Sequence, residues 1–406
     1  MTFKPYLIIA AIGIVLSILL GNRSFVVGFL IGFFVLTADV AKFSLKHIVV
    51  CLILLLLVFL LLTFGIKSDS SLGRLLIYKI SFRVLKDNWL TGIGIGQYPI
   101  VYKNYQAAYF EAGKYTNKEL LLADNNKFAF NDYFQFVIEA GVFGFVILTF
   151  LFWGLYRLYI VHRSPNKPAN LLLAVAQSVS VAILVAAFFT HISDRLTIVI
   201  IFIVCLVIIT YNVWQRKHFK EMGLYVIYLS LILVGCLKLN LTQIKRIIHK
   251  RQLNELSMQT GAGYLREAEN GYRSLYPSMK NNPQYLFDFA ALLKNREDYK
   301  SANFLLGRLI KIDNNSFNYM ALGDCYWHLH QNQKAEYCYR QAVNITPNRF
   351  YLRYQLFHYY IETGNLTLAE KTGRSILDLP IKIASRRVDE IRLNVKKRLL
   401  EISEEE

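Results

Sequence analysis

The sequence predicts an all-α chain in two parts: a polytopic bundle of about seven membrane helices with a large extracytoplasmic loop, then a soluble helical-repeat solenoid. Three observations lead there. Apolar runs, several long enough to cross a bilayer, fill the chain up to about residue 240. Lys and Arg fall preferentially on one side of those runs. Beyond about residue 250, aromatic, alanine and charged residues recur with a period of roughly 34.

The apolar runs lie at 5–21, 24–38, 48–65, 134–156, 169–190, 194–213 and 221–237, with 24–38 the shortest. At 54% hydrophobic residues, the composition exceeds what one soluble globule needs. The first run follows Lys4 but has no small-x-small cleavage site, so it reads as a retained helix. Lys4, Lys42, Lys46, Arg157, Arg163, Lys167, Arg216, Lys217 and Lys220 share one side of the seven-helix arrangement, and the opposite short turns hold only Arg23 and Arg195. The more basic side faces the cytoplasm. The loop 66–133, the turn 191–195 and everything after 238 are therefore expected outside it. This asymmetry accounts for much of the +18 net charge without nucleic acid as a partner. The five cysteines include no CxxC and no metal-ligand spacing. The expected domains are 1–240, containing the loop 66–133, and 241–406.

The repeat is clearest from Ser316 to Pro347, where Tyr319, Leu322, Gly323, Tyr326, Ala335, Tyr339, Ala342 and Pro347 have the spacing of a tetratricopeptide repeat. Leu356, Tyr360, Gly364 and Ala369 continue it, and Phe289, Ala290, Ala302 and Leu306 precede it. Small residues let paired helices approach and aromatics fill the joints, so the aromatic content is mostly core. Such arrays commonly bind a protein or peptide, which makes a protein partner the expectation. His328 and His330 fall at a helix end and read as solvated, not as a metal pair.

Three features gather on the expected outer face. GNRSF places Arg23 where the second helix begins, either as an anion seat or as an interface anchor. The stretch from Ser70 to Tyr98 puts Lys79, Arg83 and Lys86 on one helix face and Ile77, Tyr78, Phe82, Val84, Leu85 and Trp89 on the other, with Arg74 among the apolar group. A basic amphipathic helix on a membrane explains the first set. An Arg on an apolar face needs a carboxylate, phosphate or water. Gly92, Gly94 and Gly96 in GIGIGQY then make a tight turn with close backbone approach, since no βαβ unit surrounds them. In FNDYFQFVIEAGVFG, Asp132 as N-cap with Gln135 fits a capping box. Glu139 lies about two turns inside an apolar helix, and an acid there should face protein or water. THISDRL adds His191, Asp194 and Arg195 on the same side, either as cap and interface residues or as part of a site.

Taken in order, the Arg of GNRSF, the Arg of SLGRLLIY, the LTGIGIGQY turn and FNDYFQFVIEAGVFG resemble the O-antigen ligase and polymerase family over about residues 10–215. The resemblance implies a multi-pass glycosyltransferase of the bacterial inner membrane. Such an enzyme moves glycan from undecaprenyl pyrophosphate to the lipid A core, or to another glycan or protein acceptor, at the periplasmic face, where the repeat domain would also lie. It implies no metal and no cofactor, with Arg23, Arg74 and Arg195 holding the pyrophosphate and stabilising its departure. Asn131, Asp132 and Glu139 are the implied catalytic residues.

The chain departs from that family in two respects. Many ligases have His before the Asn of this motif, whereas here Phe130 precedes Asn131, so either Asp132, Glu139 or an incoming His191 acts as base or the base is absent. Family members also typically have about twelve membrane helices, which implies that the other half is a second polypeptide or that this is a shortened product whose activity is in question. The alternative is a membrane-anchored repeat scaffold for envelope proteins that catalyses nothing.

Overall fold

The computed structural model describes Gly28, Ile31, Gly32 and residues 68–162, 171–215 and 248–405. The runs 5–21, 48–65 and 221–237, nearly all of 24–38, and Arg23 lie outside the described residues. All secondary structure described is helical: α1 (Ser68–Asn88), α2 (Tyr98–Glu111), α3 (Asn117–Leu122), α4 (Asp132–His162), α5 (Leu171–Ala187), α6 (Leu196–Gln215), α7 (Leu265–Met279), α8 (Pro283–Asn295), α9 (Tyr299–Leu309), α10 (Ser316–His328), α11 (Asn332–Ile345), α12 (Phe350–Glu362), α13 (Leu366–Leu377) and α14 (Arg386–Glu405). They form two compact units. The first holds Met1–Ser71, Asn88–Ile95 and Phe128–Arg246; the second holds Leu72–Asp87, Gly96–Lys127 and Ile247–Glu406. Most of the loop expected with the membrane part therefore clusters with the repeats.

In the first unit, Leu173 and Ala176 of α5 pack on Cys205 and Ile209 of α6, with Leu155 of α4 against them. Gly28 and Gly32 lie on α5, and a Cβ at Gly32 would come within 2.6 Å of the Ser178 carbonyl oxygen. This is the small-xxx-small approach that membrane helices use.

The apolar run through α4, read in the sequence as one membrane helix, is broken at Gly141, where φ is 64° and ψ is −146°. The chain folds back there: the Tyr133 and Phe152 rings are 5.2 Å apart, whereas residues so separated on a straight helix would stand roughly 28 Å apart. A Cβ at Gly144 would likewise come within 2.9 Å of the Phe136 carbonyl oxygen. Asp132–Tyr156 qualifies as a membrane span by length and composition. The uninterrupted piece beginning at Val142 is itself on the order of 30 Å long, matching a bilayer core. Its Phe143, Phe145, Val146, Ile147 and Phe150 side chains are exposed, as lipid-facing residues would be.

A helix cannot reverse without freeing backbone groups, and groups freed in hydrocarbon must find partners. Residues Leu90–Gly94 supply them. Ile93 N–H donates to Ile138 O at 3.1 Å, Gly94 N–H to Glu139 O at 2.9 Å, and Val142 N–H to Leu90 O at 3.3 Å. The approach requires glycine on both sides: a Cβ at Gly141 would come within 2.5 Å of Gly92 N. Gly92, Gly94 and Gly96 all have positive φ, so the turn read from GIGIGQY is present.

In the second unit, α8–α9, α10–α11 and α12–α13 are the paired helices of the repeat, with α14 covering the end. Ala302, Ala335 and Ala369 are fully buried at corresponding positions. The Tyr339 ring would meet a Cβ at Gly323 at 3.3 Å. His328 stacks on Tyr299 at 4.1 Å, and His330 adopts a positive φ in the turn that follows.

The array also grips the loop. Lys103 of α2, with no exposed side-chain surface, pairs with Asp313 at 2.6 Å. Asn314 Nδ2 donates to Ile100 O at 2.9 Å and Asn348 Nδ2 to Ala123 O at 2.9 Å. Gln106 Nε2 donates to Ile345 O at 2.5 Å. The turns between repeats and α11 thus hold a segment of the same chain.

Candidate active site

The short helix opening α4 is capped by Asn131, not by Asp132 as the sequence suggested. Asn131 Oδ1 accepts the Phe134 N–H at 2.9 Å, and its backbone carbonyl accepts the Gln135 N–H at 3.0 Å, the two marks of an N-cap residue. Gln135 Oε1 reaches back to the Ala129 N–H at 3.1 Å. The chain enters through Phe130 at φ 54°, a left-handed conformation that an aromatic residue rarely adopts. This strain falls at the position before Asn131, where the resemblance led to the expectation of His.

Relieved of capping, Asp132 turns to the connection between α5 and α6. Its Oδ2 accepts N–H bonds from Ile192 at 3.0 Å and Ser193 at 3.1 Å. Its Oδ1 lies 2.5 Å from His191 Nδ1, and Asp194 Oδ2 lies 3.4 Å from His191 Nε2. Phe128 stacks on the imidazole at 3.8 Å. Burial alone would depress the His191 pKa, but the bonds to Asp132 and Asp194 outweigh it and raise the value to about 9. His191 is thus an imidazolium at neutral pH, clamped between two carboxylates.

Glu139 is 7% exposed and accepts from Gln135 Nε2 at 3.2 Å, so the acid inside the apolar run faces protein. It sits beside the Gly141 reversal, at the other end of the short helix from Asp132. Arg195 follows Asp194 in the same turn, and its N–H donates to Ile192 O at 2.9 Å. Arg74 belongs to the second unit and is half-buried on α1. The buried face of α1 is Leu76, Ile77, Ile80 and Val84, while Phe82 and Trp89, grouped with Ile77 and Val84 in the sequence, are exposed. Lys79 of the expected basic face donates to Tyr109 OH and Glu119 at 2.7 Å each. Arg83 lies over the Tyr109 ring at 4.8 Å.

The pairing of Asp132 with His191 was the part hardest to read from sequence, because it joins segments 59 residues apart in a register that only tertiary structure sets. The signal at hand was the density of polar residues in THISDRL between two apolar runs.

Residues 7–149 match the O-antigen ligase family. No curated protein matches the sequence. Among solved structures, the MamA protein aligns at 15% identity over 38% of this chain and 91% of its own, with TM-score 0.30. YrrB, described as a TPR protein with an unusual peptide-binding site, aligns at 16% identity over 37% of this chain and 84% of its own, with TM-score 0.29. The matched region includes Arg23, Arg74, the glycine turn and the Asn131–Glu139 helix, whereas His191 lies beyond it. Residues 7–149 are thus similar to the O-antigen ligase family, a likeness that supports a role in glycan assembly in general, and the later part of the chain is an array of paired helices.

Proposed function

We propose that this chain is a membrane glycosyltransferase of surface polysaccharide assembly. In this reading it transfers or polymerises glycan from undecaprenyl pyrophosphate onto a lipid A core, or another glycan or protein acceptor, at the periplasmic face. The observation that carries the proposal is the Asp132–His191 pair, in which Asp132 of the FNDY motif lies inside the region matching the O-antigen ligase family and His191 lies beyond it.

An acceptor hydroxyl attacks the anomeric carbon, the bond to pyrophosphate oxygen breaks, and the hydroxyl proton passes to a carboxylate. Asp132 accepts two backbone N–H groups on Oδ2 and pairs with the imidazole through Oδ1, so its role is to hold and charge His191. Asp194, with 49% of its side chain exposed, is the more solvent-exposed of the two carboxylates paired with His191. Asn131 positions the pair by capping, and Glu139 is the second candidate base. The imidazolium, with Arg195, meets the charge that grows on the departing pyrophosphate, and Arg23 and Arg74 are the further residues proposed to hold pyrophosphate, in place of a metal.

The test is a polysaccharide ladder from a strain dependent on this gene. His191→Ala and Arg74→Ala should each reduce chain-bearing product by about tenfold or more, the scale of losing one charge-stabilising donor. A parental ladder at normal protein level from both variants would leave the membrane-anchored scaffold as the better reading.

A further inference from the structure

We propose that the array holds a tyrosine pocket between α7 and α9, which takes a tyrosine side chain of a partner polypeptide with an acidic residue beside it. A cavity of about 460 Å³ opens there, and its walls include Tyr276 of α7, Phe289 and Leu293 of α8, and Phe304 and Leu305 of α9. That volume is within the usual range of ligand sites, roughly 300–1,000 Å³. Phe289, Leu293 and Leu305 are at most 4% exposed and form the floor, while Phe304, 64% exposed, marks the mouth.

The neighbouring repeats show what this one lacks. The ninth residue before the buried alanines Ala302, Ala335 and Ala369 is Leu293, Tyr326 and Tyr360 respectively. Buried Tyr360 reaches the helix pair before its own, where its hydroxyl donates to Glu336 Oε1 at 3.0 Å. Glu336 directly follows Ala335 and faces Arg340 one turn on, at 3.9 Å. In α7, Glu269 directly follows the fully buried Ala268 and faces Arg273 one turn on, at 2.7 Å. The acceptor and its arginine are thus in place, but the residue that would reach them is Leu293, which has neither ring nor hydroxyl. Ser301 likewise stands where the third repeat has Lys334, whose ammonium lies over the Tyr326 ring at 5.5 Å. Two shortened side chains leave the space open.

The same chemistry selects the occupant. A buried phenol needs a partner for its hydroxyl, and Glu269 stands where Glu336 accepts one. Arg296 also pairs with Glu269, and a carboxylate, with about four acceptor positions, has room for a phenol besides. Lys300 lines the cavity, is exposed and makes no ion pair among the described residues, so its ammonium is left to meet an acid next to the tyrosine. A lipid chain in the pocket would instead set hydrocarbon against a carboxylate it cannot satisfy. The pocket gives the protein partner expected of the repeat a site and a chemistry, and it does not depend on the glycosyltransferase reading.

The test selects phage-displayed random peptides on the full chain in nanodiscs, after subtraction on empty nanodiscs. Enriched peptides should share a tyrosine next to Asp or Glu. The tightest of them, synthesised, should bind about tenfold more weakly when its tyrosine is exchanged for phenylalanine, the scale of a hydrogen bond to a charged group. Leu293→Tyr, which fills the pocket from within, should abolish binding. Phe304→Ala, at an exposed position, gives a second reading should that variant fail to fold, and should weaken binding by about fivefold or more. No enrichment over empty nanodiscs overturns the proposal, as do enriched peptides without tyrosine, and binding that survives Leu293→Tyr or, in its place, Phe304→Ala. A parent chain that light scattering finds dimeric until Phe304 is replaced also overturns it, since a second copy would then fill the pocket.

Discussion

Asp132 and Asn131 divide two tasks that the sequence assigns to Asp132, capping the helix and serving the site. Either side chain can cap a helix, and only the geometry reveals that the amide does so while the carboxylate reaches the α5–α6 connection. The His191 pKa is raised from the ordinary 6.5 to about 9. The stabilisation this brings is therefore fully present below about pH 6.5 and is lost as pH rises through 9. A shift of that size corresponds to roughly 3 kcal/mol. Asp132→Asn should return the His191 pKa toward its ordinary value. The measurement is histidine ring NMR in detergent micelles, and the parent chain should lose thermal stability between pH 7 and 9 more steeply than the variant.

At the scale of elements, the reversal at Gly141 is the feature that hydropathy misread. An apolar run of this length predicts a single span, because hydrophobicity reports length but not the direction of the chain. The signals of the break were glycines, Gly92 on one strand of the contact and Gly141 on the other, whose backbones meet without a Cβ. Gly141→Ala combines a φ of 64° with a clash against Gly92 and Leu90. It should cost on the order of 1–3 kcal/mol, read as a lower melting temperature and a smaller folded yield in detergent. Asn131→Ala should be milder, about 1 kcal/mol, as a lost cap. The repeats, by contrast, were legible helix by helix, since small residues at Ala302, Ala335 and Ala369 recur at the period of the fold.

At the scale of the whole molecule, the sequence separated an apolar part from a repeat part but assigned the loop by its place in the chain. The structure groups Leu72–Asp87 and Gly96–Lys127 with the repeats instead. Long-range pairs such as Lys103–Asp313 leave no periodic trace, so this grouping could not be read in advance. Burial lowers the Lys103 pKa while Asp313 opposes the shift. Removing Lys103 alone should cost about 3–5 kcal/mol, because it leaves a carboxylate in the contact without its partner. Lys103→Met combined with Asp313→Asn should recover much of that loss. Trypsin cleavage between residues 112 and 127 reports it, fast in the single variant and slower in the double.

That grip on the loop bears on how this chain can be divided. Repeat arrays are usually treated as cassettes, to be cut off, swapped between proteins or expressed alone. Here a cut before residue 248 would strand the Lys103 ammonium and the carbonyls of Ile100, Leu121 and Ala123 without the side chains that now satisfy them. The isolated array would in turn open the socket that α2 fills. The practical unit for exchange is the array together with residues 96–127, two stretches of gene that travel as one piece of protein.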